Sequence, residues 1–556
     1  MNIFVTKTLQ IKSHPGFHLV QDHIGTNYSI PWDDFGYTVK FNLYYVADGE
    51  INKIGAMRLL IDKQDDTYKY LSEEGENVDK NITEITKALS SINAVSIGTD
   101  INYYKKINFV LKDKQKQIHQ TLSLLKDASF FFDSEDDYKN YEGYDSTIMR
   151  EGQTTTSLIK KGFQIAQGNY ELKRKVEINI DDQKGCIEPL SLKFDTKKAI
   201  GKTNINLLIG KNGVGKTHIL NSLSDLITGI VPSKNKWPFF HKLVVTAYSP
   251  FEEFYTKNQL LDISESRFKK KKKRSNEYLH RRSMTINKYA YIGFKNDSGN
   301  FDLTWPKEFS VQSMIKIMEL DREDSWWLDY TRLETLEKTL SLSIGFDSIA
   351  VKLKDSDEYF NFNSRTYRKF KNNKENFDVK KGLFFLKDGE PVNLSSGQEI
   401  FSYMIPSIVA EIEEESLLIV DEPELYLHPT LEIGLVNMLK IILEETNSYA
   451  IIATHSALIA REVDKDGINI LRREEGEITS VSKPTIQTYG ESLELIIGEA
   501  FDDYHEDKAF QQDIDIALKT LSYEEIIGDY SEELGDEALA YTNSVGLDDE
   551  LIIEGR

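Results

Sequence analysis

Gly210-Lys211-Asn212-Gly213-Val214-Gly215-Lys216-Thr217 is the stretch on which the reading of this chain turns, because it sets small residues, a lysine and a hydroxyl at the spacing a triphosphate cradle needs. Glycines at 210, 213 and 215 let successive backbone N–H groups converge on phosphates. Lys216 reaches the β/γ oxygens, and the Thr217 hydroxyl can ligate Mg²⁺. His218 follows at the start of the next element. The run Asn204-Ile205-Asn206-Leu207-Leu208-Ile209 before the loop predicts a strand, and Ile219, Leu220, Leu223, Leu226 and Ile227 after it fall at helical spacing. Strand, loop and helix come in the order that binds a nucleotide, and ATP with Mg²⁺ is the expected ligand.

Three more segments refine that expectation. Leu394-Ser395-Ser396-Gly397-Gln398 precedes apolar residues at helical spacing, from Ile400 to Ile412. A serine-glycine turn that opens a helix offers free N–H groups, the positive end of a dipole and a hydroxyl to an anion such as a γ-phosphate. By itself this composition is also an ordinary N-cap. Ser416-Leu417-Leu418-Ile419-Val420-Asp421-Glu422-Pro423 predicts a strand buried on both faces and ending in two acids, where α/β ligands bind. Asp421 suits Mg²⁺, and Glu422 suits an attacking water that must be oriented and deprotonated. Tyr449-Ala450-Ile451-Ile452-Ala453 predicts another strand, delivering Thr454-His455-Ser456 to the same edge, where His455 can reach a γ-phosphate.

Together, residues 204–217, 394–398, 416–429 and 449–456 resemble the Walker A, signature, Walker B with D-loop, and switch-histidine elements of ABC-type ATPases. The resemblance implies a mostly parallel α/β P-loop fold with an antiparallel β subdomain and a helical lobe. It also implies paired heads, in which each ATP site combines one protomer's P-loop with the partner's Ser395 and Gly397. Asp421-Glu422-Pro423-Glu424-Leu425-Tyr426-Leu427-His428-Pro429 is similar to the form found in ATPases of prokaryotic antiphage systems and in the overcoming-lysogenization-defect nucleases, not in transporters. The Septu ATPases of the PtuA family, including retron-linked versions, are the nearest likeness, and Tyr489-Gly490-Glu491-Ser492 resembles the segment that closes such heads.

That likeness implies a homodimer or higher homo-oligomer. It further implies a separate HNH-type nuclease chain as partner, with a retron reverse transcriptase and its msDNA, or another nucleic acid, as a further one. A DNA-repair ATPase head and a fused nuclease of the overcoming-lysogenization-defect type are the alternatives. For the latter, Asp513-Ile514-Asp515 has an Asp-x-Asp spacing, but little chain follows Gly498. Two features depart from the ABC pattern. The expected loop glutamine is absent after Leu243–Ala247, where Tyr248-Ser249-Pro250-Phe251 follows, and no sustained heptads mark a long coiled coil.

The 556 residues exceed what one core normally organises. Residues 1–170 predict an α+β region, with strands over Tyr37–Val46 and Met57–Ile61 and a helix through Ile118, Leu122 and Leu125. Residues 171–498 predict the ATPase head, and residues 499–556 an acidic helical tail. No apolar run approaches the ~18 residues of a membrane span. With Cys186 the only cysteine and no leader-like start, a cytoplasmic protein is expected.

The net charge of −22 is concentrated in the tail, where residues 501–556 hold 17 Asp/Glu against 3 Lys/Arg. Apolar Ile514, Ile516, Leu518 and Leu521 interrupt that charge, which leaves two readings, partner-docking helices and a solubilising surface. The basic run Arg267–Arg274 with Arg281 and Arg282 reads as an exposed loop or as a nucleic-acid contact. Trp326-Trp327 reads as burial in the helical lobe, with base stacking as the alternative.

Overall fold

Ile205–Ile209, Leu243–Ala247 and Leu417–Asp421 are buried at all five of their positions, as strands with a layer on each face must be. They join Tyr289–Gly293, Tyr449–Thr454, Ile468–Arg472 and Ser480–Ser482 in a seven-stranded sheet. From one edge, the order is 289–293, 243–247, 417–421, 449–454, 205–209, 468–472 and 480–482. The first six are parallel, and only the last pairs antiparallel. The strand that feeds the glycine-rich loop is therefore separated from the strand ending in Asp421 by the one that ends at Thr454. This is a P-loop NTPase fold, with the glycine-rich loop at the carboxyl end of a parallel strand. The computed structural model describes residues 1–34, 36–112, 114–132, 137–151, 153–172, 174–180, 185–231, 240–267, 288–328, 330–366, 370, 373–473, 478–501 and 508–554. Of the basic run, all but Arg267 lies outside them.

A two-stranded antiparallel hairpin, Lys175–Ile180 with Leu190–Asp195, precedes the P-loop strand. Two helices of the lobe, Trp305–Asp324 and Arg332–Leu340, follow the strand at 289–293. Asp321 joins them by accepting from the N–H groups of Arg332 (2.8 Å) and Leu333 (3.0 Å). Between this pair and the helix Ser396–Glu411, the chain builds a four-stranded antiparallel sheet from Ser348–Lys352, Tyr359–Phe362, Leu383–Lys387 and Glu390–Pro391. They form the antiparallel β subdomain that was expected beside the parallel sheet. One connection shows why: a two-residue turn at Asp388 (φ 52°) and Gly389 (φ 85°) can return a strand only antiparallel, whereas a parallel crossover needs about a dozen residues.

Residues 1–167 form a second layered body on the same unit. Seven strands between Ile3 and Gly98 make a mixed sheet in which only Ile3–Thr6 and Gly16–Gln21 run parallel. The strands expected at 37–46 and 57–61 are Lys40–Ala47 and Glu50–Ile61. Ile3, Phe17, Phe41, Met57 and Leu59 face Tyr104, Ile107, Ile118, Leu122 and Leu158 from the helices Ile101–Val110, Gln115–Leu124 and Gln153–Gln167. The tryptophans fasten the helical lobe to this body. Half-buried Trp326 meets Phe109 edge-on at 5.6 Å, and the Trp327 ring lies 5.4 Å from the Lys106 ammonium. They sit between two bodies instead of within the lobe.

Glu491–Arg556 forms a separate compact unit. Its helix Leu493–Phe501 runs across the boundary expected at 498, and Ala509–Ala517, Tyr523–Tyr530 and Asp536–Glu554 follow. Ile514, Ile526 and Ala538 are buried, while Ile516 is 61% exposed. Asp513 and Asp515 lie on the helix Ala509–Ala517, where residues two apart point to different faces.

The sheet, the lobe and the N-terminal body meet at Glu411–Glu415, just before the Asp421 strand. Glu411 pairs with Lys242 (2.8 Å) and Lys316 (2.7 Å), and Glu413 with His241 (3.0 Å) and Lys242 (3.3 Å). Glu414 pairs with Lys105, and Glu415 with Lys161 and the Tyr170 hydroxyl. Burial alone would raise the Glu411 carboxyl, yet the two ammoniums prevail and hold it down at about 2. A carboxyl held so low stabilises the fold above its ordinary value, and that contribution fades as pH falls from about 4.5 towards about 2. Lys242→Met takes one partner from each of two carboxylates, leaving Glu411 to Lys316 and Glu413 to His241, so destabilisation of about 3–5 kcal/mol is expected at pH 7. Because those carboxyls would then resist ionisation, the deficit should shrink on lowering the pH to 5, as thermal melts of both proteins at the two pH values would show.

Candidate functional site

The parallel register delivers every candidate group to one edge of the sheet. Ile209 pairs with Thr454, and Asp421 with Ala453, so the residues that follow, Gly210, Glu422 and His455, leave the sheet within one residue of the same level. The loop needs its glycines. A Cβ on Gly210 would lie 2.3 Å from the Leu471 carbonyl oxygen, and Gly215, at φ 101°, caps the helix Lys216–Thr228 in the left-handed region. The Val214 side chain is buried beneath the loop, and its carbonyl accepts from the Thr479 hydroxyl at 2.9 Å. Lys211, Asn212 and Gly213 are exposed at the loop crest, and His218 is exposed one residue after Thr217.

Lys216 Nζ donates to the carbonyls of Gly210 (3.0 Å) and Lys211 (3.2 Å) and lies 2.9 Å from His455 Nε2. That same histidine nitrogen lies 3.1 Å from Glu422 Oε1. A neutral ring can accept from the lysine, or an Nε2–H can donate to the glutamate, but one nitrogen cannot do both. Burial lowers the Lys216 ammonium, and the hydrogen bond from His455 holds the Glu422 carboxyl below its ordinary value. Lysine, histidine and glutamate thus form one row across the ends of three strands.

Thr217 Oγ1 donates to both oxygens of Asp421, at 3.1 and 3.0 Å. Burial and the neighbouring Glu422 charge push the Asp421 carboxyl up to about 7 in spite of that hydrogen bond. A hydroxyl and a buried carboxylate that resists ionising without a cation suit Mg²⁺, and these two would hold it. Among the described residues no group of three or more His, Cys, Asp or Glu side chains gathers as a metal site, so Mg²⁺ would take its other ligands from phosphate and water. A cavity of about 670 Å³ opens beside Thr217, Asp421 and Glu422 and runs along the helix past His218 and Asn221 towards Glu252.

Ser395 caps the helix Ser396–Glu411 in a reciprocal box with Gln398, whose side-chain amide also donates to the Ser343 carbonyl at 2.6 Å. Ser395 and Ser396 are exposed, and Gly397 is buried so closely that a Cβ would lie 2.5 Å from Leu431. No described hydrogen bond joins these residues to the P-loop of the same chain.

Two carboxylates were not among the expected site residues. Glu424 and Glu432 both reach the Thr454–Ser456 loop. Glu424 stood in the quoted motif, but nothing in its spacing reveals a target on another strand. The loop after Leu243–Ala247 carries Glu252 in place of a glutamine. It is buried and accepts from the Tyr291 hydroxyl at 2.7 Å and from Lys295 at 3.0 Å.

Comparison with known proteins matches residues 233–461 to the family described as "AAA domain, putative AbiEii toxin, Type IV TA system", less than half of the chain and beginning after the P-loop. Protein ea59 of Escherichia phage lambda is 26% identical over 543 residues, covering 91% of each chain. Similar solved structures include the ADP conformation of MJ1267, an ATP-binding cassette of an ABC transporter. It is 13% identical, with a TM-score of 0.27 over 59% of this chain and 94% of that one. The SMC head domain from Thermotoga maritima is 12% identical, with a TM-score of 0.27 over 56% of this chain and 100% of that one. At such scores the fold rests on the strand order and loop placement described above.

Glu422 has φ 46° and ψ 57°, a left-handed conformation that costs a non-glycine residue about 1–3 kcal/mol. Glu422→Gly should therefore raise thermal stability by about 1 kcal/mol, whereas Glu422→Gln, equally strained, should not; parallel thermal melts compare the two.

Proposed function

We propose that this protein is an ATP-hydrolysing regulatory subunit of a prokaryotic antiphage system, which dimerises through composite ATP sites and controls a separate effector nuclease. The observation that carries the ATPase reading is the row Lys216, His455 and Glu422 beside the Thr217–Asp421 pair at one sheet edge. Phosphoryl transfer to water asks for charge neutralisation, alignment and an acceptor for one proton. Lys216 and the N–H groups of Gly213 and Gly215 hold phosphate, and bound Mg²⁺ would screen phosphate charge. Glu422, kept ionised by its partner, takes the proton of the attacking water. His455, between lysine and glutamate, senses the γ-phosphate. Ser395 and Gly397, exposed and buried at a helix start remote from their own P-loop's hydrogen bonds, act on the partner's ATP.

The defence reading draws on the motif at Asp421–Pro429 and on the matched family's description, which names a toxin of a type IV system. The effector is a separate HNH-type chain, and this chain is not itself the nuclease. The acidic unit from Glu491 is the candidate docking site for that basic partner, and a retron reverse transcriptase with its msDNA is a further partner in retron-linked versions. No helix among the described residues is long and apolar enough to cross a membrane.

Lys216→Ala should abolish ATP binding in a filter or calorimetric assay. Glu422→Gln should bind ATP normally and lower kcat by at least about 100-fold, and with Mg·ATP its mass in solution should double. A Glu422→Gln protein that stays monomeric in saturating Mg·ATP would remove the basis for shared sites. Deleting residues 502–556 should leave ATP binding intact and release the co-purified nuclease chain.

A further inference from the structure

His455 reaches across to Lys216 and Glu422, yet those two ring contacts are to groups that must change partners during turnover. Its fixed attachments lie in the backbone around it. Glu424 Oε1 accepts from the Thr454 hydroxyl at 2.8 Å and from the His455 N–H. The same Thr454 oxygen accepts from the Ser456 N–H at 2.9 Å. On the far side, Glu432 accepts from the Ser456 hydroxyl, whose oxygen in turn accepts from the Ile459 N–H at 3.1 Å. All three residues of the loop are thus tied to carboxylates from the segment that follows Glu422.

Glu424 is held at a cost. Its second oxygen is buried with no hydrogen-bond partner among the described residues, and burial raises its carboxyl above the ordinary range. An apolar side chain would avoid that cost, so the bonds made by the first oxygen are what the residue supplies. They meet one hydroxyl and one peptide N–H that the turn leaving the sheet would otherwise leave unpaired.

We propose that Glu424 is a positioning residue for His455: by clamping the Thr454 hydroxyl and the His455 amide, it fixes the height at which the imidazole meets Lys216 and Glu422. Its kinetic consequence rests on the ATPase reading above, but the clamp itself does not. Glu424 touches no reacting atom and acts only through the histidine. Its loss therefore changes the rate of the chemical step and not the affinity for nucleotide.

The test uses the full-length protein as wild type, Glu424→Ala, Glu424→Gln, His455→Ala and the Glu424→Ala/His455→Ala double variant. Steady-state hydrolysis is read beside the ¹³Cε1 resonance of His455 in the nucleotide-free protein, assigned by its disappearance in His455→Ala. Glu424→Ala should lower kcat on the order of 100-fold, as misplacement of a catalytic group by about 1 Å does, and leave KM for ATP within about twofold. Glu424→Gln, which keeps the acceptor oxygen, should recover most of the rate. In the double variant, the glutamate's loss should add nothing to the histidine's.

Independent, multiplying losses would overturn the proposal, as would an unchanged kcat in Glu424→Ala. So would a His455 resonance that stays in place. A shifted resonance in a protein whose wild type hydrolyses no ATP would support the clamp and refute the ATPase reading alone. Should Glu424→Ala fail to fold, Thr454→Val removes the hydroxyl donor, with the same expected shift and rate loss, and its silence in both would overturn the clamp.

Discussion

The register between the P-loop strand and its neighbours is the constraint on which the rest of the structure depends. Ile205–Ile209 pairs in parallel with Tyr449–Thr454, which pairs in parallel with Leu417–Asp421, and the three end within one residue of the same level. Backbone hydrogen bonds of the ladder therefore set the spacing of Lys216, His455 and Glu422 before any side chain contributes. A slip of one residue in any of the three would exchange the side chains that meet the two covering layers and carry its terminal acid or histidine away from the row. Complete burial of all three strands makes such a slip costly, so the geometry of the row and core packing are enforced by one set of contacts.

The segment from Glu422 to Glu432 is where the site meets the rest of the head. One flank, through Leu427 and Leu431, packs against Gly397 at the start of the serine-glycine helix, while the other, through Glu424 and Glu432, holds the histidine loop. At the opposite end of the Asp421 strand, Glu411–Glu415 ties the sheet to the lobe and to the N-terminal body. The strand bearing the reactive acids is thus gripped at both ends, by packing and carboxylate clamps above and by buried ion pairs below.

Legibility in the sequence follows the range of each interaction. The glycine loop, the capped helix at Ser395 and the apolar strands are local patterns, and each lies where its pattern put it. The lysine, threonine, aspartate, glutamate and histidine singled out from those patterns converge. The N-terminal sheet was legible only in fragments, because its order interleaves the first, second and sixth of its strands. An antiparallel β subdomain was expected, but its place at 348–391 was not, since apolar strands look alike until their turns are weighed. The tryptophans at 326 and 327 carry the same apolar signal whether they face their own lobe or the body next to it.

What the sequence by itself determined is therefore a set of candidates for cradling phosphate, holding a cation and accepting a proton, since short spacings within one loop or strand end single them out. Only the tertiary structure decided which groups stand opposite one another. It placed His455 between Lys216 and Glu422, turned Glu424 onto the histidine loop, and buried Lys242 among glutamates. Each of these joins residues distant in the chain through a sheet register or a packed interface, and neither is written in the spacing of neighbouring residues.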